Sequence, residues 1–268
     1  GSLTPEGLSF SRFELAPIVN GRALPLRGFD FDLQRGPENQ QAIRLGFDND
    51  WPLRPADILA LWPNVGDDAG RQWFADNIAD GLTRQQALSL SLTTQGQSVR
   101  VDDLRAAIAF TGGRVNVTEG LGQAVNVTGR VEIDNGLYQM TLTGGRLGAI
   151  DGADNSVTLD LREPDRGTLA FEGDFTGAIR ESLGYLSGAD LGLETLREAL
   201  PLSQISGTYS ATGELRASLA QPAAFNPEFD FRVELENAVV SDFLGGMDLS
   251  ADVLPVRVGP DRIATVGS

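Results

Sequence analysis

Carboxylates are the side chains of this sequence best suited to chemistry: there are 37 Asp and Glu and 21 arginines, with no lysine, histidine or cysteine. Two carboxylates suffice to cleave a glycosidic bond, one as acid and the other as base or nucleophile, so residue inventory leaves a carbohydrate-cleaving enzyme open. Their placement argues for something plainer. Asp and Glu fall mostly on the outward phase of alternating segments, as on a solvated acidic face. The run Asp151-Gly152-Ala153-Asp154-Asn155 gathers oxygen ligands as a calcium loop does, but lacks the repeated spacing and terminal bidentate Glu of an EF-hand. Without His or Cys, zinc sites built on them, thiolate chemistry, disulfides and Ser-His or Cys-His couples are excluded. No glycine-rich phosphate motif leads from a strand into a helix, so the glycines read as turn residues. The sequence therefore gives no reason to expect a catalytic residue, a metal or a cofactor.

The elements that would position any site are mainly strands. Leu8/Phe10 and Phe13/Leu15 alternate across a one-residue slip that suits a bulge, and an Asn20-Gly21 turn follows. Phe29/Phe31/Leu33 and Ile43/Leu45/Phe47 read as a one-sided hairpin. Leu88/Leu90/Leu92, Leu104 to Phe110, Val115/Val117, Val125/Val127, Val131/Ile133, Tyr138/Met140/Leu142 and Val157/Leu159/Leu161 continue the pattern. Most of the connections are too short for crossover helices, which predicts antiparallel pairing. Asn135-Gly136 is the clearest turn, a type I′ candidate that sets Ile133 opposite Tyr138 and Val131 opposite Met140. Later strands are expected at Tyr209, Leu215 to Leu219, Phe229 to Leu235 and Val253 to Val258.

Two stretches break the alternation. Residues 53–82 predict a helical pair: Ile58, Leu61 and Trp62 recur at helical spacing until Pro63, and Asp67 and Asp68 can cap a second helix that Gly81 would close. Trp62 and Trp73 are expected to pack onto the sheet. Residues 176–201 predict helices through Ile179, Leu183 and Leu186, then Leu193 to Leu200, closed by Pro201. The remaining blocks, 1–52, 83–175 and 202–268, read as strands.

Trp62-Pro63 followed by Arg71, Trp73, Asn77 and Gly81 resembles a signature of the AsmA-like proteins of Gram-negative envelopes, in particular the YhdP branch, which like TamB have repeating β-grooves. The glycine-rich strands, the Gly173-Asp174-Phe175-Thr176-Gly177 turn and the segment through Tyr185 and Leu186 extend the likeness over most of the chain. Gln72 departs from it, where a second basic residue is expected. The resemblance implies a curled antiparallel sheet, a half-pipe whose apolar inner face carries phospholipid acyl chains between inner and outer membranes, in outer-membrane lipid homeostasis. It also implies periplasmic location and an N-terminal inner-membrane anchor. No apolar run here is long enough for that anchor, and Gly1-Ser2 resembles a cloning scar, so residues 1–268 read as one excised segment joined at both ends to the rest of its own chain.

A net charge of −16 repels phosphate backbones, so nucleic acid is not an expected partner. The expected groove lining is Leu88, Leu90, Leu92, Val131, Ile133, Tyr138, Met140, Leu142, Leu159, Leu161, Phe171, Phe229, Phe231 and Val233, all on the apolar phase of their strands. The alternative is a carbohydrate-binding or carbohydrate-cleaving β-sandwich or β-solenoid. Sugar sites favour exposed aromatic platforms, and with Trp62 and Trp73 assigned to helix faces only Trp51 is left for that role.

Overall fold

The computed structural model describes residues 1–61, 69–118, 122–163, 166–188, 202–218, 228–259 and 262–266. Within them the chain is mainly β. The early strands are β1 (Ser2–Thr4), β2 (Gly7–Leu15), β3 (Ile18–Val19), β4 (Arg22–Ala23), β5 (Leu26–Arg35) and β6 (Gln40–Asn49). Helices α1 (Pro55–Leu61) and α2 (Ala69–Asn77) follow, then β7 (Ile78–Ala79) and β8 (Leu82–Gln95). Three long strands come next: β9 (Ser98–Thr118), β10 (Gly122–Asp134) and β11 (Leu137–Leu147). After β12 (Ile150–Asp160) and β13 (Thr168–Ala178) comes α3 (Ile179–Gly188), and the chain continues through β14 (Ile205–Ser218), β15 (Glu228–Leu244), β16 (Met247–Gly259) and β17 (Arg262–Thr265).

Fifteen of these strands form one sheet in the order β1-β2-β5-β6-β8-β9-β10-β11-β12-β13-β14-β15-β16-β17, with β7 on β9, while β3 and β4 form a separate hairpin. Strand order follows chain order, most connections being short, and every pair of described register is antiparallel. A parallel β-solenoid, one form of the carbohydrate alternative, has a different topology. The chain divides into two compact units, Gly1–Gly113 with Thr128–Met140, and Arg114–Val127 with Thr141–Ser268.

In the first unit the expected turns form. Asn20 and Gly21 have φ of 51° and 75°, and Asn135 and Gly136 have 49° and 89°, the paired positive angles of type I′ turns. The slip in β2 is a bulge: Phe10 faces Phe31 and Phe13 faces Phe29, so three residues of β2 span two of β5. Arg12, at φ 52°, is the extra residue, and its N–H donates to Asp30 Oδ1 at 2.8 Å.

The helical region differs from expectation at one end. Helix α2 stops at Asn77, and Ile78–Ala79 becomes a strand on β9, so Gly81 is not its cap. Gly81 belongs to the turn before β8, with φ +81°, and a Cβ there would stand 2.8 Å from Gly113 Cα and 2.9 Å from Thr111 O. Only glycine permits that approach. Trp62, Pro63, Asp67 and Asp68 lie outside the described residues, as does Leu193 to Pro201. Arg71 is exposed on α2.

The buried core of this unit is small. Val19, Leu24 and Leu53 are enclosed, with Ile58 and Leu61 of α1 packed against them. Beside them Asp57, itself buried, accepts the Arg22 guanidinium at 2.5 Å and the Arg54 N–H at 3.0 Å, tying α1 to the β3–β4 hairpin. Asn49, Thr83 and Gln86 are also buried. Asn49 Nδ2 donates to Gln86 Oε1 at 2.8 Å, Gln86 Nε2 to Thr83 Oγ1 at 2.9 Å and Thr83 Oγ1 to Leu53 O at 3.2 Å. The network thus satisfies the polar groups it encloses.

Several outward-facing charges pair along single strands. Arg100 with Asp102, Arg130 with Glu132 and Glu214 with Arg216 are each two residues apart, at 2.7, 2.7 and 3.0 Å. Residues i and i+2 of a strand share a face, so each pair forms locally.

Candidate functional site: apolar sheet faces

In the first unit, cross-strand register aligns apolar side chains into rows. One row runs Leu8, Leu33, Ile43, Leu92 and Val101, and the next Phe10, Phe31, Leu45, Leu90 and Leu104. Phe47, Leu88 and Ala106 make a third. Phe13 packs on Phe29 edge to face, with ring centroids 5.0 Å apart. Leu90 and Leu92 are buried, while Leu8, Phe31, Leu33, Ile43, Leu45, Phe47 and Leu88 are half-buried and Phe10 is exposed. Val131, Ile133, Tyr138 and Met140, on either side of the Asn135-Gly136 turn, are half-buried too.

The second unit has its own rows. Val157, Phe171, Leu215 and Phe229 stand in register, as do Phe175, Ala211, Val233 and Val256, and Tyr209, Leu235 and Leu254. Leu159 faces Leu169. Phe231 lies opposite Gly213 and Val258, and leans into the space over Gly213 where a Cβ would overlap its ring. Phe171 stacks with Phe175 at 5.5 Å, Phe175 meets Phe231 at 6.4 Å, and Phe231 meets Phe229 at 6.1 Å. A packed second layer would bring these side chains to near-complete burial. Phe171, Phe175, Phe229, Phe231, Val233 and Leu235 are instead all partly exposed.

Helix α3 packs on β13 and β14 at one end of this face. It seats through small and polar groups: Ser182 is buried against Gly177, donates to Ala149 O at 3.3 Å and accepts from Tyr209 Oη at 3.2 Å. The Tyr185 ring lies on Gly148, whose φ is +59°. Burial pushes the Tyr209 and Tyr185 phenols above their usual range, with the Ser182 hydrogen bond opposing the shift at Tyr209.

The structure thus places Leu88, Leu90 and Leu92 in one set of rows, and Phe171, Phe229, Phe231, Val233 and Leu159 in another. Leu142, on β11, is half-buried. Leu161 lies one residue beyond β12 and is 37% exposed. Sequence reasoning left out Phe175, Tyr209, Leu215, Leu235, Leu254 and Val256, although the same alternation marks them. Trp51 is half-exposed.

The run weighed as a calcium loop is strand, not loop. Asp151, Gly152 and Ala153 pair with Thr176, Phe175 and Asp174, and a bulge then sets Asp154 and Asn155 against Gly173. Asp154 takes φ 52°, which turns Asn155 onto the apolar face, where it is buried. A Cβ on Gly173 would overlap Asn155 Oδ1 and stand 2.8 Å from Phe171 Cζ, so the glycine makes room for the amide. Asn155 Oδ1 is enclosed without a hydrogen-bond donor, which costs about 1–3 kcal/mol. Among the described residues no group of three or more Asp or Glu could hold a metal, and no helix is long and apolar enough to cross a membrane.

Comparison with protein-family models, with curated proteins and with solved structures finds no match to this chain. The AsmA-like resemblance accordingly rests on its motif residues.

Proposed function

We propose that this chain is a non-enzymatic segment of an AsmA-like, YhdP-like envelope protein, and that its apolar sheet faces form a groove for phospholipid acyl chains moving between inner and outer membranes. The location that goes with this reading is the periplasm, with the natural protein anchored in the inner membrane. The observation that carries the proposal is the partial exposure of the Phe171, Phe175, Phe229, Phe231 and Val233 cluster, an aligned apolar surface that an ordinary core would have sealed. An acyl chain loses about 0.8 kcal/mol for every methylene left in water, and such a surface recovers much of it. Smooth aliphatic and aromatic lining favours sliding over capture, which suits transfer.

The test is photo-crosslinking in cells, with probes at Ile133, Met140 and Phe231 and outward-facing controls at Glu132 and Gln139. Lipid adducts confined to the first three positions support the groove. Adducts at none of them, or equally at the controls, overturn it.

A further inference from the structure

Asparagine followed by glycine occurs twice in this chain, at Asn20-Gly21 and Asn135-Gly136, and both pairs form type I′ turns. Such a pair can modify itself, because glycine has no side chain to hinder its backbone nitrogen from attacking the neighbouring amide carbon. The two surroundings differ. Asn135 Oδ1 accepts the Leu104 N–H and Asn135 Nδ2 donates to Asp103 and Asp134, so its carboxamide is fixed, in a turn between two strands of the large sheet. Asn20 and Gly21 are exposed, and the Asn20 side chain forms no hydrogen bond with any described residue. Beyond its chain neighbours, no described atom lies within 4 Å of where a Gly21 Cβ would stand. Their hairpin is a sheet of its own, held by the pairs Ile18–Ala23 and Val19–Arg22 alone. So short a hairpin opens without the main sheet moving, which frees the turn to reach the angles that ring closure needs.

We propose that Asn20-Gly21 is a site of spontaneous deamidation, and that its conversion releases the clasp between the β3–β4 hairpin and α1. The Gly21 backbone nitrogen attacks Asn20 Cγ, the new C–N bond closes a succinimide ring, and the side-chain nitrogen leaves as ammonia with the Gly21 amide proton. Water then opens the ring at either carbonyl. One route gives aspartate; the other gives isoaspartate, whose main chain runs through the former side chain and is longer by a methylene. A longer turn cannot keep Val19 paired with Arg22 across two residues. Arg22 is the residue whose guanidinium holds the buried Asp57 of α1 at 2.5 Å, and either product sets a new carboxylate two residues from it. Conversion at this one turn therefore both displaces Arg22 and offers it a competing anion.

The experiment incubates the 268-residue chain in mildly alkaline buffer, folded and in urea, and follows both sites by mass spectrometry of the tryptic peptides 13–22 and 131–146, each of which holds a single asparagine. In the folded chain Asn20 should convert about tenfold faster than Asn135, and in urea the two rates should converge. The converted chain, separated by its added charge, should show faster hydrogen exchange in residues 54–61 than fresh protein. Asn20→Gly keeps the turn and removes the reacting amide, so its exchange in 54–61 should stay constant through the same incubation. Equal rates in the folded chain, or a faster Asn135, overturn the assignment of the site. Unchanged exchange in the converted chain, or an equal rise in Asn20→Gly, overturns the release of the clasp.

Discussion

Asn135 and Leu104 complete each other's backbone: the Asn135 N–H donates to Leu104 O at 2.9 Å, and the Leu104 N–H donates to Asn135 Oδ1 at 2.8 Å. Asn135 Nδ2 also reaches Asp103 Oδ1 at 2.8 Å. The residue that shapes the β10–β11 turn therefore also stitches it to β9. Replacing it separates the two roles. Asn135→Gly keeps the positive φ and loses the side-chain bonds, costing about 1 kcal/mol, whereas Asn135→Ala loses both and costs about 2 kcal/mol. Urea titration of both variants checks the order, and equal costs would contradict the dual role.

A second prediction concerns the clasp on α1. Asp57→Ala removes the acceptor for Arg22 and for the Arg54 N–H, and should destabilise the first unit by about 2 kcal/mol, the half-exposed arginine moderating the loss. Hydrogen exchange should quicken first in residues 54–61. Uniform exchange across the unit would count against a local clasp.

Gly213 gives a third. A Cβ there would overlap the Phe231 ring and stand 2.6 Å from Asp230 O, so Gly213→Ala must displace Phe231 or part β14 from β15. We expect a loss of about 1–3 kcal/mol and large shifts of the Phe231 ring protons. An unperturbed Phe231 spectrum would show that the ring does not lean over Gly213.

The fourth prediction is a titration. Hydrogen bonds from the Arg162 guanidinium, then from its backbone N–H, hold Asp160 down at about 2. A folded-state pKa below the unfolded value near 3.9 stabilises the folded chain above about pH 4, and that contribution disappears as pH falls through about 2. Arg162→Gln should raise the Asp160 pKa in a carboxyl NMR titration. No rise would mean the arginine is not the cause.

Strands and tight turns were legible because each is set by neighbours in sequence. Alternation placed Leu88, Leu90 and Leu92 on one phase, and Asn135-Gly136 carried its backbone angles in its residue types. What escaped was decided by residues far away. Ile78 pairs with β9 instead of continuing α2, and Gln86 is satisfied by Asn49, 37 positions earlier. Asn155 escaped for the same reason: a polar residue in a polar, glycine-rich run reads as loop until Gly173 opposes it. No local pattern announces a bulge that turns a side chain to the other face.

The charge pairs set along single strands bear on how this sheet finds its alignment. When a strand slides past its neighbour by two residues, Arg100 carries Asp102 with it, Arg130 carries Glu132, and Glu214 carries Arg216. The same slide keeps every apolar side chain on its own face, so neither these pairs nor hydrophobicity penalises it strongly. Features that cannot slide are the left-handed residues at Arg12, Asn135 and Asp154, which act as the teeth of a zip and give the strands that carry them a single stopping place. Loss of such a tooth should therefore produce a population of misaligned but still compact sheets, visible as doubled amide signals, before it produces an unfolded chain.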